Sequence, residues 1–489
     1  MPLTAQQIFS TFSPLWQTFP YLPDCFAPWQ ERTLGEIAAS SYNNTALNTT
    51  GSASSAVIDC MAAQTSKILG AAQGKALAQS LKANNAVLSA NLHAIDCLPE
   101  MVQAVHSFAL DRLALGQQAT VIPVLSCGGV SLQSQAYPRG LQSFRGGQAV
   151  RFPLFGSAAQ NKVVLNMPAL TSQDMLSSTA HWQKTLPYEQ KALAAVLDYL
   201  LSPQVLAQER FSDQITKANA WLCQQRFPDL QPLVVYLELE EIARQLLVHD
   251  LEKPTSLLYR ILFLPAVRKA LIHRLANVRG CWSSHAATGG AFSRTQNNGT
   301  LFFWGIDAKG RRCALQLEEE RGKLWLTCPE YSVPFSPESL IQALRERRIY
   351  AGLFVAYMSL VYEHGLRCYG GIFLVHYLST MLHHVQEVFC AYGEALPPTP
   401  AATALAAFAI TVQSATAQGL NPAGALELFS AGGLSHAQLQ SLAQTPLCEV
   451  LPYSLALLGK EYCPAVGSGA WEKQLAQAAQ HWKGIVLQP

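Results

Sequence analysis

Two stretches of sequence decide the fold class: residues 86–96 read AVLSANLHAID, and residues 119–129 read ATVIPVLSCGG. Each begins as a short apolar run that favours a strand and ends in polar or glycine-rich residues. A segment with helical periodicity separates them, which is the pattern of a strand–helix–strand unit. Because ligands collect outside the carboxyl ends of neighbouring parallel strands, both ends are candidate positions for a functional site.

The composition indicates a folded protein with much buried surface. Of 489 residues, 49% are hydrophobic and 13% are charged, whereas globular proteins average about 25% charged residues. The net charge of +2 gives no electrostatic basis for nucleic acid as a partner. No apolar run has the length of a membrane span. Because charged residues are few, part of the buried surface could be a subunit interface, and a homo-oligomer is possible.

The chain begins without the basic and apolar segments of a signal peptide, and its twelve cysteines include no Cys-x-x-Cys pair. We therefore expect a cytoplasmic protein with reduced thiols.

The order of elements predicts an α/β core with a parallel or mixed sheet, a large helical portion, and a three-strand antiparallel meander near residues 299–328. The apolar run Lys162–Leu165 is predicted as a third strand of the core, and Gln231–Tyr236 could start as a strand within an otherwise helical segment. We divide the chain into an irregular N-terminal segment and loop (1–55), the α/β core (56–170), a helical segment (171–280), the meander (281–330), apolar helices (331–395) and a C-terminal helical module (396–489).

The first strand end carries Asn91, His93 and Asp96. A histidine here can act as a general base that Asp96 orients, while Asn91 helps to hold developing negative charge. In the alternative interpretation, Asp96 caps the helix that starts near Leu98 and His93 only bonds a loop carbonyl. We predict catalytic roles for these three residues and leave the alternative open.

The second strand end carries Cys127, Gly128 and Gly129. The two glycines allow their N–H groups to form an anion-binding nest, and the thiol is a candidate nucleophile. A tight turn followed by a buried thiol is the simpler alternative. The pattern matches neither a P-loop nor a dinucleotide-binding motif, so the cofactor stays unassigned.

The segment after the second strand end contains Tyr137, Arg139 and Arg145. Guanidinium groups recognise carboxylates and phosphates through paired hydrogen bonds. We therefore predict that these residues bind an anionic substrate, with a solvated loop as the alternative.

Secondary candidates are Glu363, His364, Gly370 and Gly371, which lie between two apolar helical stretches. His383 and Glu387 share a helix face further on, but no recognised metal-binding pattern is present, so we assign no metal site.

These features predict a small-molecule enzyme, a transferase or ligase, that acts on a carboxylate- or phosphate-bearing substrate. A non-catalytic binding or assembly protein with apolar helical interfaces is the alternative.

Overall fold

The computed structural model describes residues 5–29, 31–43, 52–89, 92–96, 98–132, 140–145, 148–179, 182, 185–284, 300–394, 396, 409–416, 419–463 and 468–488.

The described strands form one parallel sheet and several small sheets. They are β1 (Ala86–Leu88), β2 (Val121–Ser126), β3 (Gly140–Arg145), β4 (Gln148–Pro153), β5 (Leu233–Glu238), β6 (Phe303–Ile306), β7 (Arg312–Ala314), β8 (Gln316–Glu320), β9 (Lys323–Cys328), β10 (Tyr331–Pro334), β11 (Ile349–Ala351), β12 (Arg367–Tyr369), β13 (Val412–Thr416), β14 (Gly419–Pro422) and β15 (Ile485–Leu487).

Helices fill most of the remaining described chain. They are α1 (Ala5–Thr11), α2 (Ser13–Thr18), α3 (Leu22–Phe26), α4 (Leu34–Asn43), α5 (Ser55–Leu69), α6 (Ala71–Ala83), α7 (Pro99–Ala114), α8 (Ser172–Thr179), α9 (Pro187–Leu200), α10 (Pro203–Leu206), α11 (Phe211–Arg226), α12 (Leu239–Asp250), α13 (Leu257–Phe263), α14 (Pro265–Arg274), α15 (Pro337–Arg345), α16 (Leu353–Tyr357), α17 (Ile372–Ala391), α18 (Ala425–Ser430), α19 (His436–Ala443), α20 (Leu447–Tyr462) and α21 (Ser468–His481). Within these described helices, none combines the length and apolar character needed to cross a membrane.

The core is a four-stranded parallel sheet in the order β12-β1-β2-β5. The chain adds β1, β2 and β5 in one direction and then returns to place β12 on the other side of β1. Because strand crossovers are right-handed, this reversal puts the connecting helices on opposite faces of the sheet. Helices α7 and α11 accordingly pack on one face and α12 on the other. The sequence correctly predicts an α/β core; the placement of helices on both faces of a fully parallel sheet is seen in the structure.

Side chains of the parallel strands alternate between two hydrophobic clusters. Ile122 and Val124 of β2 belong to the cluster beneath α7 and α11, whereas Leu125 belongs to the cluster beneath α12. Neighbouring residues of a strand point to opposite faces, so a strand covered on both faces has a continuous apolar sequence. This explains why the run at residues 121–125 lacks polar alternation.

The predicted meander is present, but its strands divide between two sheets. Strands β8, β9 and β10 form an antiparallel meander, while β6 and β7 form a hairpin whose β6 pairs with β11. Arg321 and Gly322 both have positive φ, +50° and +74°, as a two-residue type I′ turn between β8 and β9 requires.

One local prediction is wrong and another is confirmed. Lys162–Leu165 is not a strand, because Val164–Asn166 forms a 3₁₀ turn in which Leu165 N–H donates to the carbonyl of Gly128. The strand suggested for Gln231–Tyr236 is present as β5, the edge strand of the parallel sheet.

Candidate functional site

A cavity of about 510 Å³ lies beyond the carboxyl ends of β2 and β5. Cys127 and Gly129 reach it from the end of β2, and Glu240 reaches it from the first turn of α12, directly after β5. Its aromatic wall comes from later segments. The wall residues with aromatic rings are Phe302, Trp304, Tyr350, Phe354 and Tyr377.

The carboxylate of Glu240 occupies the nest of N–H groups after β2. Gly128 N–H donates to its Oε2 at 2.7 Å, and Gly129 N–H donates to its Oε1 at 2.8 Å. The thiol of Cys127 donates to the same Oε1 at 3.0 Å. The anion-binding amides predicted from the glycine pair therefore hold a carboxylate of the chain itself.

Burial changes the pKa values of both Cys127 and Glu240. It raises the pKa of Glu240, and the hydrogen bonds from Cys127, Gly128 and Gly129 oppose that rise. Burial and the neighbouring Glu240 carboxylate raise the pKa of Cys127 well above the usual range of a thiol. Cys127 is therefore a protonated thiol at neutral pH, and it donates to Glu240.

Two arginines line the cavity while remaining exposed, Arg279 and Arg312. The guanidinium of Arg312 lies 4.6 Å from the ring centroid of Trp304, and its Nη1 donates to the carbonyl of Gly129 at 3.3 Å. The guanidinium of Arg279 lies over the ring of Phe373 at 3.5 Å. Within the described part of the chain, neither arginine forms an ion pair with a carboxylate.

More acidic residues surround Glu240 at the end of β5. The guanidinium groups of Arg244, Arg347 and Arg210 hold the pKa of Glu241 down at about 2, despite its burial. Burial raises the pKa of Glu238 to about 7. Two neighbouring acidic residues at the carboxyl end of β5 therefore have pKa values shifted in opposite directions, upward for Glu238 and downward for Glu241.

Several residues predicted from the first and second strand ends cannot be placed in this cavity. Asn91, Tyr137 and Arg139 lie outside the described residues. Arg145 is the last residue of β3, and its side chain is also outside the described part.

His93 is completely buried, and it is not among the described residues that line the cavity. Its Nδ1 lies 2.7 Å from Ser126 Oγ, and its Nε2 lies 2.9 Å from both the carbonyl and the hydroxyl oxygen of Ser212. Burial lowers its pKa to about 4, so the ring is neutral at pH 7. A general-base role for His93 stays a prediction.

Asp96 faces a buried arginine. Its Oδ2 lies 2.9 Å from Arg226 Nη2, and its N–H donates to Asn219 Oδ1 at 3.1 Å. Helix α7 begins after Leu98 with Pro99 in its first turn and has no side-chain cap. The ion pair with Arg226 thus takes the place of the cap that the alternative interpretation gave to Asp96.

The secondary candidates divide between two places. His364 bridges Asp250 Oδ1 at 3.1 Å and Ser54 Oγ at 2.8 Å, and Glu363 accepts from Leu257 N–H. Gly370 and Gly371 follow β12 and precede α17, the helix that sends Tyr377 to the cavity. A Cβ on Gly370 would overlap Leu374, whereas one on Gly371 would meet open space.

Sequence reasoning missed Glu240, Arg312 and Tyr350. A signal for Glu240 exists, because three glutamates at 238, 240 and 241 directly follow the apolar run 233–237. Arg312 and Tyr350 belong to segments far along the chain that only the folded structure brings to β2. Arg279 lies in a basic stretch of the sequence that is open between a solvated face and a binding surface for an acidic ligand, and it lines the cavity.

No family model matches this sequence, and no curated protein matches it. The cavity and the residues that line it are therefore the basis for assigning a function.

Proposed function

We propose that the protein is a small-molecule transferase whose substrate carries a carboxylate or phosphate and binds in the cavity beyond β2 and β5. The observation that carries this proposal is the pair Arg279 and Arg312. Both line a cavity with aromatic walls, and neither has a carboxylate partner among the described residues.

The binding chemistry follows from the lining. A guanidinium recognises a carboxylate or phosphate through paired, charge-assisted hydrogen bonds. The aromatic rings provide apolar area for the body of the substrate, and about 510 Å³ is a typical volume for a small-molecule pocket. An organic anion with a planar or aromatic body fits these features.

The Cys127–Glu240 pair is the proposed reacting centre. The thiol attacks an acyl carbon of the substrate, Glu240 accepts the thiol proton, and the bond from that carbon to the leaving group breaks as the leaving group takes the proton. A thioester on Cys127 results, from which the acyl group passes to an acceptor. The amides of Gly128 and Gly129 hold Glu240 in reach of the thiol throughout.

A binding protein without turnover is the second candidate. The observation in its favour is the raised pKa of Cys127, which keeps the thiol protonated and less nucleophilic.

The cellular setting is part of the same proposal. The described cysteines are free thiols, which supports a cytoplasmic location. The small net charge supports a partner that is neither nucleic acid nor a charged membrane. A homo-oligomeric state is proposed from the sparse charge alone.

Ligand-induced thermal stabilisation tests the anion site. Phenyl phosphate and benzoate should raise the melting temperature of the wild type, whereas benzyl alcohol should not, because a ligand that binds the folded state stabilises it by mass action. The shift should shrink in Arg279→Gln and Arg312→Gln and persist in Arg345→Gln, whose exposed arginine pairs with Glu252 elsewhere. Equal shifts in all three variants would contradict the assignment.

Acylation by a carboxylate-bearing p-nitrophenyl ester tests the chemistry. Peptide mapping by mass spectrometry should find the acyl group on Cys127, more slowly in Glu240→Gln. Thermal stabilisation by the two anions without acylation of Cys127 would favour the binding protein over the transferase.

A further inference from the structure

We propose that Cys313, Cys328 and Glu330 form a binding site for a zinc-type divalent metal ion. Cys313 lies on β7, Cys328 is the last residue of β9, and Glu330 lies in the turn to β10. One ligand atom from each residue lies within 4.8 Å of the other two. This inference is independent of the proposed enzymatic function.

The donor set suits zinc. Zn²⁺ takes thiolate sulfur at about 2.3 Å and carboxylate oxygen at about 2.0–2.2 Å in a tetrahedron, which places two sulfur ligands about 3.8 Å apart. Two thiols and a carboxylate whose ligand atoms lie within 4.8 Å need only a small contraction to reach that geometry. A water or an added ligand can complete the tetrahedron.

A dication suits the charges of these groups. Two thiolates and a carboxylate carry three negative charges, so an ion between them is attracted to all three, and its binding releases the thiol protons.

The site would join two sheets. Cys313 belongs to the sheet β11-β6-β7, and Cys328 belongs to the sheet β10-β9-β8. A shared ion would therefore crosslink the two small sheets, which is the usual task of a structural zinc site.

Cobalt substitution tests the proposal on the reduced, full-length chain. Co²⁺ should give the near-ultraviolet charge-transfer band of thiolate ligation in the wild type, and Zn²⁺ should remove it. The band should disappear in the Cys313→Ser/Cys328→Ser double variant. In Glu330→Gln, Zn²⁺ affinity should fall at least about tenfold, because even the loss of an outer-shell partner has that effect.

Cys390→Ser provides the matched control, since Cys390 is an exposed thiol on α17 and should leave the band unchanged. Circular dichroism of each variant confirms that it is folded. A wild-type spectrum identical to that of the folded double variant would overturn the proposal. A Cys313–Cys328 disulfide that resists treatment with a reductant would also overturn it.

Discussion

Glu240 shows how a single side chain can complete a strand-end site. Its carboxylate accepts from two backbone amides and one thiol, so both oxygens are held in place at the cavity wall. The close approach depends on glycine, since a Cβ on Gly129 would lie 2.7 Å from Glu240 Oε1 and 2.8 Å from a ring carbon of Tyr350. Gly129 is required by this close approach and not by a positive φ, whereas a Cβ on Gly128 would lie against Glu238.

Gly129→Ala should therefore displace Glu240 and Tyr350 and destabilise the protein. We expect a loss of about 1–3 kcal/mol, as for other overpacked sites, measured by urea unfolding. Gly156→Ala is the matched control, because its Cβ would meet nothing within 4 Å and its φ of −64° suits alanine. Equal free energies of unfolding for the two variants would show that Glu240 is not packed against Gly129.

At the scale of elements, a buried ion pair fixes the connection from β1 to α7 against α11. Asp96 precedes α7 and has a φ of +26°, which is unusual for a residue other than glycine. Arg226, the last residue of α11, pairs with it and also donates from Nη1 to the carbonyl of Val102. One guanidinium thus holds both the loop and the first turns of the helix.

Removing only one partner should be costly. Arg226→Met leaves the Asp96 carboxylate buried without its cation, and we expect a loss of about 3–5 kcal/mol in the free energy of unfolding. Asp96→Asn/Arg226→Met should recover part of that loss, because no charge is left behind. A double variant as unstable as the sum of both single variants would mean that the two residues do not interact.

At the scale of the whole molecule, the free energy of unfolding should depend on pH because two histidines, His93 and His106, are buried. Burial lowers the pKa of His93 to about 4 and that of His106 to about 3, both from 6.5. At these two histidines the folded chain therefore binds fewer protons than the unfolded chain below about pH 6.5. The stability that these neutral rings provide is complete above that pH and is lost as the pH falls towards 4.

His93→Gln should be less stable than the wild type at pH 8 but lose less stability on acidification. From pH 6.5 to pH 5, His93 alone should account for a wild-type loss of about 1.5 kcal/mol, measured by urea unfolding at each pH. Comparison with the variant separates His93 from buried carboxyls such as Glu238, whose raised pKa acts in the opposite direction. The exposed His383→Gln should follow the wild type, and parallel pH profiles for wild type and His93→Gln would contradict the assignment.

The sequence predicts the fold better than the site. Apolar runs identify β1 and β2, and the turn at Arg321 and Gly322 identifies the β8–β9 hairpin, because these signals are local. Strand β12 has only three residues and begins with Arg367, which bonds Asn84 and Asn85, so its apolar pattern is too short to recognise. The cavity could not be predicted for a different reason. Arg279, Arg312 and Tyr350 lie far from Cys127 in the sequence, and only the folded structure brings them to the same cavity.

The late position of β12 has a consequence for synthesis on the ribosome. Strand β1 pairs along its whole length with β12, which follows about 280 residues later. At roughly 5–20 residues per second, translation leaves that edge of β1 without its neighbour for roughly 15–60 seconds. During this interval an apolar strand edge is open to other nascent chains, so chaperone capture should be greatest before residue 370 leaves the exit tunnel.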